Sequence, residues 1–277
     1  MTARVAYLGI KGAFSEQAAR DFFGDDLHDV QCQSFAEIFT AIETDQADYG
    51  ILPVENSLAG TVSQSYELLT HHTAHIQGEI ILHIEHALLA LPNTSLADIE
   101  QVRSHPQALA QCAEFLRDNH LQPVEWYNTA GAAKDVLQDA TQHIAAIASP
   151  RVGEMYGLQI LARHIQDLPN NFTRFFALGK SPTERAEYNK TSLLFSVKDR
   201  PGVLVDCLLC FSRNNINLSK IESRPTRHQP WQYMFYVDLH GHVHDANFKG
   251  AIEALKQEAA TVQILGSYPA AETPEVP

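Results

Sequence analysis

At five places where a strand-like apolar run gives way to a helix-like amphipathic one stands a small hydroxyl or amide residue: Ser15, Asn56 with Ser57, Ser104, Thr129 and Ser149. Each alone reads as a helix N-cap, the commonest use of such a residue at such a place. In an open α/β sheet, however, the carboxyl ends of the strands and the following helix N-termini converge on one crevice. Five polar caps aimed at that crevice suit a small anion, held by oriented N–H and O–H groups. A second constellation overlaps the first. Ser104, Gln107 and Gln111 fall on one helical stripe, while Leu109, Cys112 and Leu116 take the opposite one. Spacing alone favours plain solvent-facing surface for the polar stripe over a site.

These residues need a frame. Up to residue 180 short apolar runs alternate with amphipathic stretches, the pattern of a doubly wound α/β layout. Strands are expected over 5–8, 49–54, 80–91, 101–103, 144–148 and 172–178. Helices are expected from near Ser15, after Gly60 (with Val62, Tyr66 and Leu69 on one face), after Ser104, after Thr129 and over 150–161. Pro106 falls in the first turn after Ser104, where its missing N–H costs nothing. Residues 181–189 are polar and read as a linker. Residues 190–268 then give strand 191–197, helix 202–213, strands 216–221 and 233–239, helix 245–259 and strand 261–265, the βαββαβ ferredoxin-like plan. The stretch 269–277, with three prolines and two glutamates, is expected to be a frayed tail.

Composition closes off several functions. The 277 residues carry a net charge of −13, from 20 Lys+Arg against 33 Asp+Glu. An acidic chain without a basic run has no footprint for nucleic acid or an anionic membrane. Positive potential for an anion must be local, from helix N-termini or one placed Arg. The N-terminus leads straight into a strand-like run with no signal peptide, and no apolar run approaches the ~18 residues of a membrane span. Four cysteines make no disulfide framework, so the expected compartment is the cytoplasm. Cys207-Leu-Leu-Cys210 has redox or zinc spacing but lies in an apolar helix without a second pair, so buried structural thiols are expected. His240-Gly-His-Val-His244 reads as an exposed strand end rather than a metal site. Gly9-x-x-Gly12 is too short for a dinucleotide fingerprint.

Leu8-Gly-Ile-Lys-Gly-Ala-Phe-Ser15, Leu52-Pro-Val-Glu-Asn-Ser57, Ser104-His-Pro-Gln107, Tyr156-Gly-Leu158 and Asn171-Phe-Thr-Arg-Phe175 resemble, in order, the motifs of prephenate dehydratases. Ile216-Asn-Leu-Ser-Lys-Ile-Glu-Ser-Arg-Pro225 resembles an ACT regulatory domain of the phenylalanine-responsive kind. The resemblance implies a catalytic region over 1–180 of two lobes, folded like a periplasmic-type binding protein with the site between them, and an ACT domain over 190–268. It also implies the reaction, in which prephenate loses its ring hydroxyl and ring carboxylate to give phenylpyruvate, water and CO2. No cofactor and no metal is implied, because aromatisation supplies the driving force. Implied partners are prephenate, phenylalanine as allosteric inhibitor, and copies of the chain in a dimer or tetramer. No chorismate-mutase segment precedes the catalytic motifs, which points to the single-function form.

Family positions carried onto this chain place Thr173, Asn56, Ser104, Gln111 and Glu55 in catalysis. Thr173 is expected to donate to the departing hydroxyl, and Asn56, Ser104 and Gln111 to orient substrate and stabilise developing charge. Glu55 is expected either to relay a proton or to pair with a nearby cation. Arg174 is the expected partner of a substrate carboxylate, with Phe175, Ser57, Ser15, Thr129 and Ser149 as further binding residues. Phenylalanine is expected at Gly202, Val203, Leu204, Asn217, Leu218, Glu222 and Ser223. Family members commonly carry alanine where this chain has Val203, so Val203 either crowds that pocket or points into the domain core. Ile10 and Ala13 replace the family's usual Pro and Thr, which puts a ligand contact from position 13 in doubt. Two other readings compete: arogenate dehydratase, and a non-catalytic amino-acid-sensing binding protein, which would need neither Thr173 nor Gln111.

Overall fold

Apolar runs bounded by turn residues become the strands of three sheets. The computed structural model describes residues 2–198, 200–225 and 233–272. The chain divides into two units, one holding the residues through Thr70 with Ile80–Phe175, the other His71–Glu79 with Phe176–Glu272.

In the first unit β1 (Ala3–Leu8) turns into α1 (Phe14–Phe23), followed by β2 (Leu27–Cys32), α2 (Phe35–Glu43) and β3 (Tyr49–Asn56). The short β4 (Gly60–Thr61), α3 (Ser63–His71) and β5 (His75–His83) complete this part. The chain then crosses to a second sheet through β6 (Ala87–Ala90), β7 (Gln101–Ser104), α4 (Pro106–Gln111), α5 (Ala113–Asp118) and β8 (Gln122–Glu125). There follow α6 (Thr129–Asp139), β9 (Ile144–Ala148), α7 (Pro150–Tyr156) and β10 (Gln159–Ala162), and the chain returns as β11 (Phe172–Gly179). The first sheet has the order β2-β1-β3-β11-β5, with β4 paired to β3, and the second the order β10-β6-β9-β7-β8. The division between the units falls within β5 and β11.

Several expectations need correction. The apolar stretch 80–91 is two strands, not one, because the chain leaves the first sheet at Ile84 and enters the second after His86. The return crossing runs beside it: Ile84 N–H donates to the Asn171 carbonyl at 2.8 Å, and Ile165 N–H to the His86 carbonyl at 3.1 Å. β2 and α2 lay outside the expected element list. The helix expected over 150–161 ends at Tyr156, since Gly157 takes a left-handed φ of 68°, and β10 follows. The helix after Ser104 breaks at Cys112 into α4 and α5. Its core stripe is as expected, with Leu109, Cys112 and Leu116 buried beside Val102 and Ile147.

The second unit holds β12 (Asn189–Val197), α8 (Val203–Ser212), β13 (Leu218–Pro225), β14 (Tyr233–His240), α9 (Ala246–Glu258) and β15 (Ala259–Pro269). Its antiparallel order, β13-β14-β12-β15, is the ferredoxin-like arrangement. Phe195, Phe211, Phe235, Phe248 and Leu255 fill its core. Val203 belongs to that core, which removes the ground for expecting it to crowd a phenylalanine pocket. Cys207 and Cys210 are buried free thiols, and burial pushes the Cys207 thiol up to about 11, far from a reactive thiolate. The His240–His244 segment is not simply exposed, because His242 is buried and its Nδ1 accepts from His244 N–H at 3.1 Å. Of the expected tail, β15 takes in Pro269 and 273–277 lie outside the described residues. Among the described residues no helix is long and apolar enough to cross a membrane.

Candidate active site

A cavity of about 210 Å³ lies in the first unit, walled by two strands of the first sheet, the crossing segment and the starts of three helices. Phe14 and Ser15 come from the start of α1, Pro53 and Asn56 from β3, and Ile84 and His86 from the crossing. His105, Gln107, Ala108 and Gln111 come from α4 and its cap, Asn128 and Thr129 from the start of α6, and Thr173 and Phe175 from β11. The lining holds neither Lys and Arg nor Asp and Glu. An anion here meets dipoles rather than charges.

The polar groups are held in one orientation. Leu58 and Ala59 N–H, which can only donate, both point at Asn56 Oδ1, at 3.1 and 2.8 Å. Asn56 Nδ2 is therefore the donor end, and it reaches Thr173 Oγ1 at 3.0 Å, the Phe172 carbonyl at 3.1 Å and Asn171 Oδ1 at 2.8 Å. Because Thr173 Oγ1 accepts from Asn56, its own hydrogen is free to be donated elsewhere. Asn171, fully buried, passes the chain on by donating to Gln111 Oε1 at 3.1 Å. His86 Nε2 stands 2.9 Å from the same oxygen.

Thr173, Asn56, Gln111, Phe175, Ser15 and Thr129 are thus brought together around one cavity. Two of them do so by other means than capping. Ala13, which has no side chain for the task, occupies the N-cap of α1, and Asn128 caps α6 by accepting from Gly131 N–H at 2.5 Å. Ser104 is not a cap either. It is the last residue of β7, fully buried, and its Oγ donates to the Ile147 carbonyl at 2.7 Å, while His105 Nδ1 caps α4. Ser57 bonds Asn170 O and Phe172 N, stapling β3 to the return crossing. Ser149 lines a separate polar recess with His83, Glu85 and Arg151.

Arg174 and Glu55 are outside the lining. Successive side chains of a strand point to opposite faces. With Thr173 and Phe175 on the cavity side, Arg174 turns away and stands 3.6 Å from Glu55. Of the two readings of Glu55, the geometry has the ion pair.

His86, Asn171, His105 and Asn128 escaped the sequence reading. Asn171 was within reach, because it precedes Thr173 by two residues, immediately before β11 begins. His86 was hidden by the apparent continuity of the 80–91 run.

In the second unit Gly202 is the N-cap of α8, with a φ of 81°, and Leu204 packs against the core. Asn217 and Ser223 are exposed, Leu218 is half-buried, and Glu222 pairs with Arg224 at 2.6 Å and Lys220 at 3.4 Å.

Comparison with known proteins gives the family. Residues 5–183 match the family model for prephenate dehydratase and residues 191–257 that for the ACT domain. A bifunctional chorismate mutase/prephenate dehydratase of Aquifex aeolicus is 41% identical, over 97% of this chain and 74% of that protein. The prephenate dehydratase of Arthrobacter aurescens, solved in complex with L-Phe, superposes with a TM-score of 0.88 at 30% identity, covering 96% of this chain and 89% of that one. GqqA, described as a novel type of quorum quenching acylase, also gives 0.88, at 32% identity over 97% and 98% of the two chains.

Proposed function

The chain belongs to the prephenate dehydratase family, and on that premise we propose how its cavity carries out the decarboxylating dehydration of prephenate to phenylpyruvate. Fold alone does not carry chemistry, and an acylase shares this one. The orientation of the Thr173 hydroxyl is what supports the mechanism. With Asn56 donating to its oxygen, Thr173 has its hydrogen to offer to the ring hydroxyl of the substrate. As the ring carboxylate departs as CO2, its bonding electrons enter the ring and push out the hydroxyl oxygen, which takes up one proton, supplied in net from solvent, and leaves as water. The Thr173 hydrogen bond strengthens as charge grows on that oxygen, so it favours the transition state over the ground state. The Gln111 amide hydrogens add a second donor.

The second carboxylate of the substrate falls to the starts of α1 and α6. Both helices open onto the cavity, and α1 has no side-chain cap to occupy its first N–H groups. We assign Asn56 to holding Thr173 rather than to touching substrate. Phe175 and Phe14 supply apolar walls for the ring. We take residues 1–180 as the catalytic region, 181–189 as linker and 190–268 as the regulatory domain, in a cytoplasmic homo-oligomer, dimer or tetramer. Phenylalanine regulates the enzyme through the ACT domain, for which we retain Gly202, Leu204, Asn217, Leu218, Glu222 and Ser223 as contacts.

Incubating purified protein with prephenate, and separately with arogenate, tests the function. Formation of phenylpyruvate from prephenate is expected. Phenylalanine formed from arogenate with prephenate left intact would overturn it in favour of the aminated substrate.

A further inference from the structure

We propose that His86 is a positioning residue for the dehydration, acting through Gln111 by fixing which end of the carboxamide faces the substrate. The proposal rests on the function assigned above. The orientation propagates from two backbone N–H groups that cannot be turned round. Leu58 and Ala59 identify Asn56 Oδ1, which leaves Asn56 Nδ2 to donate to Asn171 Oδ1. Asn171 Nδ2 then donates to Gln111, so the Gln111 atom at 3.1 Å is its oxygen. His86 Nε2, 2.9 Å from that same oxygen, must carry the ring hydrogen. Both lone pairs of Gln111 Oε1 are then engaged, one by Asn171 and one by His86. The amide nitrogen is the end left for the cavity.

Other features of His86 suit this role. The side chain is 2% exposed, and its Nδ1 has no hydrogen-bond partner among the described residues. A second ring hydrogen there would be buried and unmatched, so the neutral ring with its hydrogen on Nε2 is the form that fits. Burial lowers the His86 pKa from its usual value, outweighing the Gln111 hydrogen bond. The backbone of His86 is pinned on both sides, its N–H by Gln166 Oε1 at 3.1 Å and its carbonyl by Ile165 N–H. Phe14 meets the ring edge-on, with centroids 5.8 Å apart. Without the His86 donor a single bond from Asn171 holds Gln111. A turned carboxamide would then present oxygen to a departing anion.

Steady-state kinetics on wild type, His86→Phe, His86→Gln, Gln111→Ala and the His86→Phe/Gln111→Ala double variant test this. Loss of one orienting hydrogen bond is expected to lower kcat on the order of tenfold in His86→Phe, with a smaller change in KM. His86→Gln, which offers an N–H in place of Nε2–H, is expected to recover most of that loss. In the Gln111→Ala background His86→Phe is expected to add nothing, because the group it positions is gone. Multiplying losses, or normal turnover by His86→Phe, overturns the role of His86 while leaving the function standing. An inactive wild type overturns both. Nitrogen-15 NMR of the wild-type imidazole serves if a variant fails to fold. A bare Nδ1 and a protonated Nε2 are expected at neutral pH, and the opposite tautomer contradicts the role.

Discussion

Thr173, Asn56 and Gln111 are held by the hydrogen bonds behind them, and the orientation of each, on which the proposed mechanism depends, is inherited from a neighbour. The case of Arg174 shows the limit of residue type as a guide. A lone cation beside Thr173 suggested a carboxylate clamp, but strand alternation turns it to the far face and gives it Glu55 as partner, at 3.6 Å. Arg174 is 11% exposed and Glu55 36%, so the pair, which links β3 to β11, is partly screened by solvent. If Arg174 gripped the substrate, replacing its planar fork with Lys would raise KM by roughly tenfold or more. We expect Arg174→Lys to change KM by less than about threefold, with only a small drop in the unfolding temperature, because Lys keeps the charge that faces Glu55 and loses only the planar fork. A KM rise of the larger size, at unchanged unfolding temperature, would return Arg174 to substrate binding.

At the scale of elements, the alternating α/β pattern, the ferredoxin-like C-terminal plan and most strand positions were legible, because buried runs and polar breaks carry those signals. Crossings between sheets were not. Ile80 to Leu91 is apolar on both sides of the crossing, with β6 buried throughout and β5 in part, and only the polar residues His83, Glu85 and His86 mark the change of sheet. α2 was legible and missed. Ser34 accepts from Glu37 N–H at 3.3 Å, and Glu37 reaches back to Gln33 N–H at 2.8 Å, a spacing visible in the sequence before an apolar run. Cap identity slipped by one residue at α6, where Asn128 and Thr129 are both plausible by type. Asn128 holds the Gly131 N–H. Removing such a cap costs about 1 kcal/mol. That corresponds to roughly 2–4 °C for a domain of this size, so thermal unfolding of Asn128→Ala should show such a drop. Thr129→Ala should stay within about 0.5 kcal/mol of wild type. The reverse ranking would restore Thr129 as the cap.

The whole molecule poses an electrostatic question, since a chain of net charge −13 is proposed to bind a dianion. Its cavity answers with oriented dipoles, having no Lys or Arg in its lining and no carboxylate to repel the ligand or to act as an acid. Two helix starts, the Gln111 amide and the Thr173 hydroxyl face the space, and the crossings at Ile84–His86 and before Asn171 bring them there from two sheets. In the proposed mechanism dehydration depends on a donor aimed at the departing oxygen more than on a strong acid. The most direct test is the steady-state rate of Thr173→Val on prephenate, in which shape is kept and only the hydroxyl is lost. With the unfolding temperature unchanged, the account predicts a kcat lower by roughly 10²- to 10³-fold, the usual contribution of one oriented donor. KM should move by less than about threefold, as for an interaction made chiefly in the transition state. A folded Thr173→Val enzyme that turns prephenate over at the wild-type rate would contradict it.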